Sequence, residues 1–253
     1  MSSSLVSALN DFYKSPQIDL LVNDDTYSIA RIIPFVKNIY TFSYHKKKNN
    51  WWKQEKEIFK RLFNNYDLSI NLTSSDRSVI YALLASRKSI SAIEKDNKKS
   101  WWKKILLNFY YFFDENRHIL LNNLQPLNLL KIKHDDIQTL IPISRNIIEN
   151  VQAKLDKKNI KNFIIFHPSA QYKYKIYPKL LRHELLKFLS SLGISIIITG
   201  TNNKVDSEIK KNLPSLKNVF DFIGDTSIEE YFALSHLSLA YIGMDTLNMH
   251  IAA

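Results

Sequence analysis

The 253-residue chain has no cysteine, which excludes a disulfide framework, a thiolate metal site and a cysteine nucleophile. That suits a reducing compartment, and a cytoplasmic location is expected. Long hydrophobic runs are missing too. No uninterrupted apolar stretch approaches the roughly 20 residues that span a bilayer. The N-terminal stretch MSSSLVSALNDFYKSPQ lacks the basic start and long apolar core of an export signal, so a soluble protein is expected. Glycine is scarce: Gly193, Gly200, Gly224 and Gly243 are the only four, all in the last quarter, each beside an apolar run where the backbone can turn or approach a ligand. Acidic residues are outnumbered, 24 against 35 lysines and arginines, giving a net charge of +11. This balance favours anionic partners: nucleic acid, an acidic membrane surface or phosphorylated small molecules.

Short apolar runs alternate with helical patterns, and the length has room for two compact units. Helices are expected at 3–14, 25–31, 51–65 and 76–86, and strands at 18–22, 38–42, 66–72 and 88–93. In the helix at 51–65 the helically spaced Trp52, Ile58, Phe59, Leu62 and Phe63 mark the apolar face. From 101 to 130 the pattern is helical and aromatic, and the stretch 134–159 reads as a connection plus a helix carrying a domain boundary. A second series follows: strands at 161–170, 194–200, 218–224 and 238–242, with helices at 178–191, 204–211, 227–235 and from 246 onward. Such alternation predicts parallel strands with helical crossovers, and ligand sites at the strands' carboxyl ends.

One short echo stands out, KKKNNWWK at 46–53 and NKKSWWKK at 97–104. Tryptophans beside lysines suit an acidic membrane interface. They equally suit helix starts anchored to a core among solvated lysines, and, less well, stacking on nucleic-acid bases.

Four loops are candidates for chemistry. In FHPSAQYKYKIYP (166–178) a strand meets a small-residue turn at Ser169 and Ala170, followed by Lys173 and Lys175 and a helix that Pro178 opens. This reads as a phosphate cradle or as a plain loop with exposed lysines, and it is not a Walker pattern. GTNNK (200–204) places polar side chains after Gly200, at a position suited to a ribose or base. GDTSIEE (224–230) reads as a helix start capped by Thr226 or Ser227. In IGMDTLNMHIAA (242–253), Asp245 and Thr246 stand where amides and a hydroxyl can meet a diphosphate, with His250 one turn on. The same residues also read as a cap and an interior histidine. HDD at 134–136 reads as a cap, and no cluster has metal-ligand spacing, so no metal is expected.

Taken in order, these loops resemble family 9 of the glycosyltransferases, the bacterial ADP-heptose:lipopolysaccharide heptosyltransferases, whose members carry HPGAS…KRWP, GGPxE, GxTSLxEL and IGxDTGxMHLAA. LVSALNDFYKSPQIDLLV and YDLSINLTSSDRSVIYALLA are similar to the family's N-terminal segments. The resemblance implies an α/β protein of GT-B type with two Rossmann-like doubly wound domains facing a cleft, both incomplete. An acceptor-side domain would occupy 1–155 and a nucleotide-sugar-binding domain 156–253. It implies transfer of heptose from ADP-heptose to an inner-core lipopolysaccharide sugar or lipid A-linked acceptor, inverting and metal-independent, with no cofactor and no nucleic acid. The expected setting is the cytoplasmic face of the inner membrane.

By position, Lys175 would bind the donor phosphates. Asp245, Thr246 and His250 match the DT…H motif, Ser169 stands for the family's glycine with Ala170 beside it, and Gly200 ends the second strand. Arg77 and His118 match the acceptor side. Leu247 replaces the DTG glycine, and Asn203 or Lys204 stands in place of a glutamate near the ribose. The family's first strand, with its presumed catalytic aspartate, and its closing segments are not found. The expectation is a chain truncated at both ends, without an identifiable base and inactive by itself. Two competitors remain: the same fold with another nucleotide-sugar donor, and a non-catalytic basic module for membranes or nucleic acid.

Overall fold

The computed structural model describes residues 2–43, 51–95, 98–133, 141–170 and 172–252. The chain divides into two compact units, Met1–Pro142 and Ile143–Ala253. The HDD stretch lies outside the described residues.

In the first unit, α1 (Ser3–Phe12) leads into β1 (Ile18–Asn23); α2 (Tyr27–Ala30) follows a 3-10 turn at Asp24–Thr26, and β2 (Val36–Phe42) pairs parallel with β1. Next come α3 (Trp51–Leu62), β3 (Ser69–Asn71), α4 (Asp76–Ala85), β4 (Ser89–Ile93), α5 (Trp101–Leu106), β5 (Phe109–Phe112), α6 (Ile119–Asn123) and α7 (Gln125–Leu129). The strands β3, β4 and β5 form a parallel sheet in that order. Helices cover both faces. Leu5 and Leu9 of α1 pack with Leu124, Leu127 and Ile132 on one side, while α3 and α4 share Ile58, Leu62, Tyr81 and Ala85 on the other. Ser75 caps α4, its hydroxyl accepting from Ser78 N at 3.3 Å.

Three expectations are corrected here. The stretch 101–130 is not helical throughout. Leu107 turns to extended backbone, Asn108 Oδ1 accepts from Ser89 N (2.8 Å) and Oγ (3.1 Å), and Phe109–Phe112 is thereby laid beside β4, where an aromatic run is at home. Within α3 only Ile58 and Leu62 of the expected apolar face are buried; Trp52, Phe59 and Phe63 are exposed, because the two inward positions already fill the contact with α4. β3 is also shorter than 66–72, since Tyr66 makes only an isolated bridge to Ser86 and turns its hydroxyl to Asp19 Oδ2 at 2.9 Å.

The tryptophans divide between their two readings: Trp102 packs beside Val79 and Leu107, whereas Trp51, Trp52 and Trp101 are exposed. Beside Trp102, Lys103 is 1% exposed and donates to Asp76 Oδ1 (2.8 Å), Glu94 Oε2 (3.0 Å) and Ser74 O (2.5 Å). Burial alone lowers the pKa of an ammonium, but Asp76 and Glu94 outweigh it and hold Lys103 charged with a raised pKa. The cation thus ties the start of α4 to the end of β4. Lys103→Met is expected to cost about 2 kcal/mol in urea unfolding, because three hydrogen bonds vanish while the half-exposed carboxylates can rehydrate. A change under about 0.5 kcal/mol would show that the tie is idle.

In the second unit, α8 (Arg145–Lys157) precedes β6 (Phe163–His167), α9 (Lys179–Ser191), β7 (Ser195–Gly200), α10 (Lys204–Lys211), β8 (Val219–Ile223), α11 (Ile228–Leu237), β9 (Ala240–Gly243) and α12 (Leu247–Ala252). All pairings are parallel, in the order β8-β7-β6-β9. Alternate residues serve opposite faces. Phe163, Ile165 and Ile197 join Val151, Leu155 and Leu234 beneath α8 and α11, and Ile164, Phe166, Ile196 and Ile198 join Leu186, Leu189 and Ile209 beneath α9 and α10. The helix α8, which runs across the boundary expected at 155, packs within the second unit.

Candidate functional site

Every strand of the second sheet runs the same way, so His167, Gly200, Ile223 and Gly243 end at one edge. The chain winds outward from β6 through β7 to β8, then crosses back so that β9 lies on the other side of β6. The order therefore reverses between β6 and β9. Loops leaving a sheet at such a point diverge and open a crevice, the general ligand position of open α/β sheets. Here those two loops are the HPSA…K stretch and the DT…H stretch.

The two are fastened to each other. Met244 N donates to His167 O at 3.3 Å, and Asn248 Nδ2 donates to His167 Nδ1 at 3.0 Å. Thr199 Oγ1 lies 3.1 Å from the same nitrogen, while His167 Nε2 faces Ser169 Oγ at 3.4 Å. With Nδ1 accepting, the imidazole is neutral and its proton sits on Nε2. Burial pushes its pKa below the ordinary 6.5, against the pull of Asp206. A lowered histidine pKa makes the unfolded chain the stronger proton binder. Stability is then whole above about pH 6.5 and falls as pH drops through 6.5 towards the folded value, by at most about 1.4 kcal/mol per pH unit. Urea unfolding between pH 7.5 and 5.5 should show this slope reduced in His167→Gln; parallel slopes would refute the assignment.

The loop after β6 is closed by Tyr177 N donating to Pro168 O at 3.0 Å, and Lys173–Lys175 forms a 3-10 turn within it. Lys175 Nζ thereby reaches Asp245 Oδ2 at 3.4 Å, and His250 Nε2 stands 3.9 Å from Asp245 Oδ1. All three side chains are solvent-accessible. Thr246 Oγ1 is 3.4 Å from Met244 O. Lys175, Asp245, Thr246 and His250 thus gather where the two loops meet, while Ser169 is buried against His167 on the loop it shares with Ala170.

Gly200 ends the next strand. A Cβ there would lie 3.0 Å from the carboxyl carbon of Asp206, so glycine admits that buried carboxylate, which accepts from Thr201 N (2.6 Å) and Asn203 Nδ2 (2.9 Å). GDTSIEE forms a complete capping box between Ser227 and Glu230, and Lys154 Nζ meets Glu230 Oε1 at 2.8 Å. Burial would raise the Glu230 pKa, yet Lys154 and Ser227 bring it below the ordinary value.

Arg77 and His118 lie in the first unit and both have local partners. Arg77 Nη2 pairs with Glu55 Oε1 at 2.5 Å and its Nε donates to Tyr81 Oη at 2.6 Å, while His118 Nδ1 caps α6 by accepting from Leu120 N at 3.3 Å. His167, Thr199, Asn248 and Tyr231 lie together beneath the candidate site, and spacing alone does not single them out. The buried Tyr231 hydroxyl faces Thr199 and Asn248 without a well-formed hydrogen bond to either, and burial raises its pKa. The His-Pro pair was the signal available for His167; nothing local marks the others. Among the described residues no three His, Asp or Glu side chains are placed to hold a metal ion, and no helix is long and apolar enough to cross a membrane.

Parallel α/β units with a strand-order reversal in the second are the doubly wound pattern, and the solved structures that the chain resembles give it as the GT-B type glycosyltransferase fold. The profile described as Glycosyltransferase family 9 (heptosyltransferase) matches residues 56–253, and the chain belongs to that family. It is 24% identical over 264 aligned residues to lipopolysaccharide heptosyltransferase 3 of Escherichia coli K12, covering 100% of this chain and 75% of that one. Among solved structures it resembles the family 9 glycosyl transferase of Veillonella parvula, with a TM-score of 0.79 and 14% identity over 99% of this chain and 72% of that one. It also resembles the E. coli heptosyltransferase WaaC solved with ADP, with a TM-score of 0.70 and 14% identity over 100% and 81%.

Proposed function

We propose that this glycosyltransferase takes ADP-heptose as donor and transfers the heptose, with inversion, to an inner-core sugar of lipopolysaccharide on the cytoplasmic side of a membrane. The observation that carries this reading is the meeting of Lys175 and Asp245 at the β6/β9 crevice, 3.4 Å apart and exposed. An accessible ion pair of this length contributes under about 1 kcal/mol, so Lys175 releases it at little cost. A diphosphate offers the ammonium a stronger partner through charge-assisted hydrogen bonds. Freed from Lys175, Asp245 accepts from donor hydroxyls, and Thr246 supplies a neutral donor beside it. As the glycosidic bond breaks, charge grows on the departing ADP, and Lys175 stabilises it without a metal. The acceptor hydroxyl attacks from the opposite face after losing its proton to a general base outside this crevice.

Titration calorimetry with ADP-heptose, in EDTA and then in magnesium, tests the donor and the metal independence together. Equal heats in both, with none from UDP-glucose or GDP-mannose, are expected. Binding only with magnesium, or equal binding of all three sugars, would overturn the assignment. Any product formed on incubation with acceptor has an anomeric configuration, read by NMR, opposite to that of the donor.

A further inference from the structure

Among the described residues, an aromatic face of α3 stands exposed to solvent. At 3.6 residues per turn, Trp52, Lys56, Phe59, Lys60 and Phe63 fall within an arc of roughly 100° on the side away from the buried Ile58 and Leu62. Trp52 is 78% exposed, and Phe59 and Phe63 stack with ring centroids 4.9 Å apart. The carboxylates of α3 lie off this arc: Glu55 pairs with Arg77, and Glu57 lines a recess beside β2 with Lys53 and Arg61. Phe63 N still bonds to Phe59 O at 2.9 Å, and Asn64 N donates to Leu84 O at 2.8 Å, which fixes the end of the stripe against α4. Ile80 of α4 and Trp101 and Ile105 of α5 are exposed as well, Ile105 to 69%. Lys104 stands over the ring of Phe112 at 5.3 Å.

An exposed aromatic stripe of this kind costs solubility unless something covers it. Its composition selects the occupant. Indole and phenyl groups settle at the headgroup level of a bilayer, lysines interspersed among them meet anionic phosphates, and no acid lies within the α3 arc. We propose that the exposed aromatic and lysine face of α3 docks this protein on an anionic phospholipid bilayer. The proposal deepens the reading of a lipid-linked acceptor and rests on it, since docking would hold the first unit where such an acceptor is anchored.

Co-sedimentation of the full chain with vesicles, either pure zwitterionic phosphatidylcholine or the same lipid with a quarter phosphatidylglycerol, tests it. Binding is expected to the anionic vesicles, to weaken with salt, and to be at least tenfold weaker to the neutral ones. The triple variant Trp52→Ser/Phe59→Ser/Phe63→Ser should lose at least tenfold, and Lys56→Gln about fivefold. Thermal stabilisation by ADP, measured in parallel, should be the same in these variants, showing that the fold and the crevice are intact. Unchanged binding of the triple variant, or no binding by the parent chain, overturns the proposal. So does a concentration-dependent dimer in analytical ultracentrifugation that the triple variant abolishes without any vesicle binding. Vesicle binding without any ADP effect would instead leave docking standing while the proposed donor fails.

Discussion

Lys175→Ala weakens ADP binding by about ten- to a hundredfold and leaves the folding stability within about 0.5 kcal/mol. The first half follows from losing a charge-assisted hydrogen bond to a diphosphate, worth about 1.5–3 kcal/mol. The second half follows from its native partner: Asp245 at 3.4 Å is an accessible carboxylate that water can satisfy. Lys173→Ala is the comparison, since it removes an equal charge from the same turn without a contact to Asp245. Calorimetric titration of ADP into the three proteins separates position from charge. Equal losses in the two variants would mean that the crevice attracts the nucleotide only through its overall potential.

Gly243→Ala is expected to cost about 2 kcal/mol and to lower ADP affinity at least tenfold. A Cβ on Gly243 would stand 2.8 Å from His167 O, the carbonyl that accepts from Met244 N, and would collide with the ring end of Tyr241. A side-chain tip can move aside, but a backbone carbonyl in a paired strand moves only with its strand. The ends of β6 and β9 would therefore part, carrying Asp245 and Thr246 away from Lys175. Gly193→Ala is the contrast. Its backbone has φ of +74°, but nothing lies within 4 Å of the added carbon, so about 1 kcal/mol of conformational strain is expected with no effect on ADP. Urea unfolding and ADP titration of both variants distinguish a close-packed junction from an ordinary glycine cost.

Sequence and structure agree where local signals are strong. The runs KNFIIFH, ISIIITG and VFDFI are β-branched and aromatic, end at turn residues, and appear as β6, β7 and β8. Ser227 stands at its helix start as the capping pattern requires. What the sequence hides is which side of a periodic stretch faces inward. α3 has apolar residues on two faces, and periodicity does not say that Ile58 and Leu62 win the contact with α4 while Trp52, Phe59 and Phe63 remain outside. The strand β5 was hidden because its extended form depends on the Asn108 side chain reaching Ser89, 19 residues back.

Most of the candidate site was legible because the loops after β6 and β9 each carry a distinctive order of residues. Their adjacency was not, since it depends on β9 crossing to the far side of β6. The bond from Asn248 to His167 spans 81 positions, and neither residue shows its partner in its own neighbourhood. Arg77 and His118 show the converse: positional matching named them, whereas the fold supplies each with a nearby partner.

Hydrogen exchange measured by mass spectrometry, with and without saturating ADP, locates the nucleotide most directly. Bound ligand suppresses local opening where it touches the chain. Protection confined to peptides covering 168–176 and 243–250, and lost in Lys175→Ala, is the predicted result. Protection of other peptides with these two loops unchanged would place the nucleotide elsewhere and contradict the account.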